Sequence, residues 1–268
     1  MSKDEVLLDV AGVRLELGDT LVLDELSFHV VDRVREGTVT GQVVGLLGPS
    51  GVGKTRLLRI IAGLDAPGKG TVRGQGGTEL APGSVGFVFQ DYPLLAHRTV
   101  RSNLELAGHI GGMPPDKARK RADDLLATFR MTDRGGFYPA QLSGGQRQRV
   151  AIAQQIMQPR KLLLMDEPFS GLDPEALDSV MHLIVEVANL DELNTIVLVT
   201  HDIRAAMAVS DTLHMLGRER KDGKLAPGAR VLWSYDMVAR GLAWKDDLVH
   251  LPAFGELEKE IKARFREL

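Results

Sequence analysis

Short apolar runs bounded by turn residues alternate along the chain with longer stretches whose apolar positions recur at helical spacing. Leu7–Val10, Val13–Leu17 and Leu26–Val31 read as early strands of an antiparallel unit. Val43–Leu47, Val85–Phe89, Leu162–Met165 and Thr195–Thr200 are continuous apolar runs, the pattern of strands covered on both faces in a parallel sheet. Helices follow several of them. Lys54–Leu64 carries Leu57, Leu58 and Ile61 on one face, and Asp173–Asn189 opens with an acidic cap and Pro174 before Leu177, Met181, Ile184 and Ala188. The stretch from about 91 to 159 holds no strong strand. Within it, Asp116–Arg130 is amphipathic through Ala118, Ala122, Leu125, Leu126 and Phe129, which predicts a helical subdomain inserted into an α/β core. Beyond Leu216 the pattern weakens to a charged turn over 218–224. Phe254, Leu257, Ile261, Phe265 and Leu268 then mark a final amphipathic helix.

A chain of 268 residues suits one large α/β domain with a small appendage. The charge balance of 33 basic against 36 acidic residues, net −3, supplies no bulk attraction to nucleic acid or anionic lipid. The absence of cysteine excludes a disulfide scaffold, a thiolate metal site and a cysteine nucleophile, and it fits a reducing compartment. Met1–Glu5 lacks the basic flank and apolar stretch of a signal peptide, and no window approaches the ~18 uninterrupted apolar residues of a membrane helix. A soluble chain that meets a membrane only through a partner is expected. The basic run Lys117–Arg121, followed by Asp123 and Asp124, reads as the wet face of its helix.

The sharpest chemical signal lies between a buried strand and a helix. Gly48, Pro49, Ser50, Gly51, Val52, Gly53, Lys54 and Thr55 fit the P-loop pattern GxxxxGK[ST] in the context that pattern requires. Glycines let successive backbone N–H groups turn inward around a phosphate, and the helix N-terminus adds positive potential. Lys54 supplies a cation for the β- and γ-phosphates of ATP, and the Thr55 hydroxyl is a ligand for Mg²⁺. A second metal ligand is expected from Leu162–Glu167, a short apolar strand ending in adjacent acids. Asp166 would hold Mg²⁺, and Glu167 would act on the attacking water as general base.

Leu142–Arg149 reads LSGGQRQR. Ser143 capping a helix, with Gln146 three residues on, makes an ordinary capping box. That does not account for Gly144 and Gly145, which are costly in a first helical turn unless something approaches the backbone closely. A capped helix start with exposed N–H groups is a second anion site.

Together, GPSGVGKT, LSGGQRQR, LLLMDEP and VTHD, in this order, resemble the nucleotide-binding subunit of an ATP-binding-cassette (ABC) transporter over roughly Val6–Gly217. The resemblance implies a P-loop NTPase core with a mainly parallel sheet, an N-terminal antiparallel β subdomain and the inserted helical subdomain. It implies that Gln90 reaches metal and attacking water and senses a membrane partner. It further implies that Ser143, Gly144, Gly145 and Gln146 contact ATP held by a second subunit. Ser170–Asp173 would cross the interface between subunits, placing Asp173 near the nucleotide, and His201 would hydrogen-bond the γ-phosphate. Asp173 before Pro174 is also a good helix cap, and the two roles are compatible. The remaining six histidines have no such context.

The partners implied are a second ATPase subunit, membrane permease subunits docking near Gln90 and 91–103, and a solute-binding protein, with no nucleic acid. The chain would lie on the cytoplasmic inner face of the membrane. A separate, single-cassette chain favours import over export, and the pattern resembles subunits serving nitrate, sulfonate or taurine uptake. A cassette over 1–217 and a small extension over 218–268 are expected. The competing class is a non-transport ABC ATPase acting on nucleic acid or ribosomes. It is disfavoured because Thr55 to Ser143 leaves no room for a long coiled coil and the length forbids two fused cassettes. A P-loop kinase would lack LSGGQ.

Two features depart from the family pattern. Where an aromatic residue usually stacks on adenine, Leu17 precedes Gly18. Leucine offers apolar contact without stacking, which is worth about 1–3 kcal/mol per base. Weaker nucleotide affinity and looser base choice are therefore expected, and strong adenine preference in an ATP/GTP competition would contradict this. Val31–Gln42 is longer than the usual link into the P-loop strand and reads as a surface loop.

Overall fold

The computed structural model describes residues 5–33, 41–190, 195–221, 223–243 and 247–268. Most of the Val31–Gln42 link lies outside the described residues. Strands β1 (Val6–Leu17) and β2 (Thr20–Val31) form a hairpin closed by a two-residue turn with Gly18 at φ +57. The sequence reading split β1 in two. It is one strand, with a register shift between Val10 and Val13 where Gly12 takes φ +60. The third strand of this antiparallel sheet, β4 (Lys69–Gly74), pairs with β1 on the side away from β2. It was not foreseen because Lys69–Gly74 carries little apolar alternation and is mostly exposed.

The second sheet has six strands in the order β11-β8-β3-β7-β6-β5. Its parallel members are β3 (Gln42–Leu47), β5 (Gly86–Val88), β6 (Leu162–Asp166), β7 (Thr195–Thr200) and β8 (Thr212–Gly217). Every residue of β3, β6 and β7 is buried. Alternate side chains enter different cores, as the two-residue strand period requires. Val43, Leu163, Met165, Ile196 and Leu198 face the helical core, whereas Val44, Leu46, Leu162, Leu164, Val197 and Val199 face the hairpin and α1 (Lys54–Ile61).

The stretch between β5 and β6 is helical, as expected. It holds α2 (Val100–Ile110), α3 (Pro115–Thr128) and α4 (Gly144–Gln155). Ala118, Ala122, Leu125, Leu126 and Phe129 of the predicted stripe are all buried there. Helices α5 (Pro174–Ala188) and α6 (Ile203–Val209) flank β7 in the chain. After Gly217 come a short ribbon, β9 (Arg220–Lys221) with β10 (Lys224–Leu225), and then β11 (Arg230–Asp236), antiparallel to β8 at the sheet edge. The terminal helix α7 (Pro252–Phe265) buries Phe254, Leu257 and Ile261 against α6, β8 and β11. No helix among the described residues is long and apolar enough to cross a membrane.

Candidate functional site

Strand order assembles the site. β5, β6, β7 and β3 are consecutive neighbours pointing the same way, so their carboxyl ends share one edge, where open α/β sheets bind ligands. Gln90 stands just beyond β5, Asp166 ends β6 with Glu167 behind it, His201 follows β7, and residues 48–55 follow β3. Four segments remote in sequence thus meet at one edge.

Within residues 48–55, Gly53 has φ +106, and a Cβ there would lie 2.8 Å from Val22 and 3.0 Å from Leu23. A side chain at position 53 would push the β1–β2 hairpin off the loop. Leu17 is exposed at the end of β1, beside the hairpin turn. Lys54 is buried, and its ammonium donates to the carbonyls of Gly48 at 2.7 Å and Pro49 at 3.1 Å. It also pairs with Glu167 Oε1 at 3.1 Å. The second oxygen of Glu167, Oε2, lies 2.9 Å from His201 Nδ1 and accepts from the His201 backbone N–H at 3.3 Å. One carboxylate therefore sits between the cation and the imidazole that the resemblance assigns to a terminal phosphate. A phosphoryl group is likewise anionic and accepts hydrogen bonds, so the donor set fits it.

The Thr55 hydroxyl donates to Asp166 Oδ1 at 3.0 Å. Burial raises the Asp166 carboxyl above the ordinary carboxylate range and the Glu167 charge adds to this, against the Thr55 hydrogen bond and the Lys54 charge. A hydroxyl and a carboxylate meeting in this way are oxygen ligands of the kind Mg²⁺ prefers. Among the described residues no cluster of three or more His, Cys, Asp or Glu could hold a metal alone. Phosphate oxygens would have to complete the shell, as is usual for Mg²⁺ in nucleotide sites.

The capping box at the start of α4 forms as the sequence suggests. Ser143 caps α4 through Gln146 N–H at 3.3 Å, and the Gln146 side chain accepts the Ser143 N–H at 3.0 Å. Asp173 caps α5 through Ala176 N–H at 2.9 Å. Ser143, Gly144, Gly145, Gln146 and Asp173 line one open hollow of about 500 Å³. Gln90 Nε2 donates to Ser170 Oγ at 3.3 Å, tying the loop after β5 to the loop before α5.

No motif singles out two polar groups, the fully buried Gln148 and the half-buried Tyr92, whose side chains meet the Pro168 carbonyl. The available signal was a glutamine at 148 four residues before Ile152, on the stripe that α4 turns to the core.

A family model described as ABC transporter matches residues 31–170. The chain belongs to the ABC transporter family. Among curated ABC relatives, a sulfate/thiosulfate import ATP-binding protein from Synechocystis sp. is 39% identical over 209 residues, 76% of this chain and 56% of that protein. The Gloeobacter violaceus protein of the same description is 34% identical over 259 residues, 93% of this chain and 74% of its own. A Pseudomonas aeruginosa spermidine/putrescine import ATP-binding protein is 38% identical over 227 residues, 82% of this chain and 60% of that protein. This ABC chain thus spans 56% to 74% of the length of these three relatives. The solved structure of cbiO1 from Clostridium perfringens, part of the ABC transporter complex cbiONQ, superposes with a TM-score of 0.73 at 26% identity, covering 96% of this chain and all of that one. The ABC ATPase fold expected from the motifs is the fold observed.

Proposed function

We propose that this chain is the ATP-hydrolysing subunit of a membrane importer and acts as a head-to-tail homodimer around two ATP molecules. One observation carries the proposal. A Cβ at Gly144 or Gly145 would meet nothing within 4 Å, so nothing among the described residues requires two glycines in the first turn of α4. Each glycine there costs about 0.8–1 kcal/mol relative to alanine. A close approach from outside the chain is the physical reason to accept that cost, and a phosphate at a capped helix start is the approach such a turn serves.

In this reading the N–H groups of residues 48–55 and the Lys54 ammonium grip the β- and γ-phosphates of ATP, while the partner's copy of the Ser143 turn closes on the γ-phosphate. Lys54 and His201 cannot serve Glu167 and a phosphate equally, so ATP arrival frees the Glu167 carboxylate. Glu167 then takes a proton from the attacking water, and Gln90 and His201 orient water and phosphoryl group. Mg²⁺ would be held by Thr55, Asp166 and Gln90 together with the phosphates, and would neutralise charge developing on the transferred phosphoryl group. After cleavage the contacts that bridged the copies are lost, and the dimer relaxes.

Membrane permease subunits would dock near Gln90 and 91–103, placing the chain on the inner face of the cell membrane, with a solute-binding protein outside. Import follows the functions printed for the curated relatives. Residues 1–217 form the cassette, and 218–268 an extension that packs on it. Ser143→Arg tests the proposal, since a long cation fills the turn without touching residues 48–55. ATP binding should stay within about twofold of wild type while hydrolysis falls by about tenfold or more. Titration with a fluorescent nucleotide and phosphate release read the two quantities. Hydrolysis at the unaltered rate would count against closure in trans.

A further inference from the structure

Glu167 is held in a conformation that its own sequence does not favour. Its φ is +47, in the left-handed region, where a non-glycine residue costs about 1–3 kcal/mol and persists only if its surroundings impose it. Two backbone bonds help: Glu167 N–H to Val199 O on β7 at 3.0 Å and, within the turn itself, Ser170 N–H to Glu167 O at 3.1 Å. The next peptide is fixed from outside the turn. The carbonyl of Pro168 accepts from Gln148 Nε2 at 3.0 Å and from the Tyr92 hydroxyl at 3.3 Å.

Gln148 lies on the helix that begins at Ser143, and Tyr92 lies two residues beyond Gln90. The Pro168 carbonyl is therefore a junction of three segments that the reaction uses. Gln148 is fully buried, and its Oε1 has no hydrogen-bond partner among the described residues. The amide cannot be turned over, because the carbonyl of Pro168 accepts only from the NH₂ side. An orphaned buried acceptor keeps its full desolvation cost, so glutamine is a poor choice for stability at this position.

We infer that Gln148 and Tyr92 are positioning residues which hold the Pro168 carbonyl and thereby keep Glu167 in its left-handed conformation, with its carboxylate between Lys54 and His201, linking the Ser143 helix and the Gln90 loop to the general base. The inference rests on the ATPase reading above and adds two residues outside the groups assigned to nucleotide and metal.

The test is hydrolysis and ATP affinity in Gln148→Met, Tyr92→Phe and the double variant. Met keeps the volume of Gln and removes both the donor and the orphaned oxygen. Each single variant leaves one donor on the carbonyl and should lower kcat by about fivefold, the loss of one net hydrogen bond of about 1 kcal/mol. The double variant removes the last donor and should lose more than the product of the singles. ATP affinity should stay within about twofold throughout, and the melting temperature of Gln148→Met should not fall. A merely structural role predicts the reverse: a lower melting temperature with unchanged kcat per folded molecule. If wild type hydrolyses ATP and both single variants match its kcat, the positioning role is wrong. If wild type itself does not hydrolyse ATP, it is the ATPase reading that fails. The single variants decide the matter even where the double variant does not fold.

Discussion

Glu167→Gln should abolish turnover, lowering kcat by about 10²–10⁴-fold, while ATP still binds. Glutamine keeps the shape of the side chain and one oxygen but cannot take the proton of an attacking water. Removing the charge also breaks the 3.1 Å ion pair with Lys54 and weakens the 2.9 Å contact with His201, the two interactions that ATP must displace. Both effects act in one direction on binding: the phosphate no longer competes with an internal carboxylate, so affinity should hold or rise. Turnover and affinity thus separate. Phosphate release beside equilibrium binding reads the split, and a variant that hydrolyses ATP at the wild-type rate would remove Glu167 as the base.

Lys54→Ala should have the opposite profile, with ATP affinity falling by about 100-fold. Charge-assisted hydrogen bonds are worth about 1.5–3 kcal/mol each, and Lys54 is the only buried lysine among the described residues. The variant also leaves Glu167, with a side chain only 13% exposed, without its ammonium partner. Some loss of melting temperature is therefore expected alongside the loss of binding. Arginine should not rescue the variant, because the space around Lys54 Nζ is closed by the Gly48 and Pro49 carbonyls at 2.7 and 3.1 Å. Binding of ATP by Lys54→Ala at wild-type affinity would place the triphosphate elsewhere.

How much of this was legible in the sequence depends on what each element must bury. β3, β6 and β7 are covered on both faces, so their residues are continuously apolar and their positions could be read directly. β4 and β11 are edge strands with mixed burial, and their sequences give no such signal. β1 was read as two strands because the bulge at Gly12 breaks its alternation, although hydrogen bonding continues through it. The helix caps at Ser143 and Asp173 are local, and each forms as its spacing suggests. The bridge from Lys54 through Glu167 to His201 joins residues more than 100 positions apart at its first step. Only the strand order, not any motif, brings them to one edge. The Pro168 junction is less legible still, because one of its partners is a backbone carbonyl that no residue identity reveals.

In the proposed dimer, neither copy of the chain owns every group that grips the terminal phosphate. Its most direct test is the particle mass of Glu167→Gln in solution, by small-angle scattering, with and without saturating ATP and Mg²⁺. One copy is expected without nucleotide and two copies with it; a particle that stays at one copy with ATP bound would rule out closure of the Ser143 turn on a second copy's nucleotide.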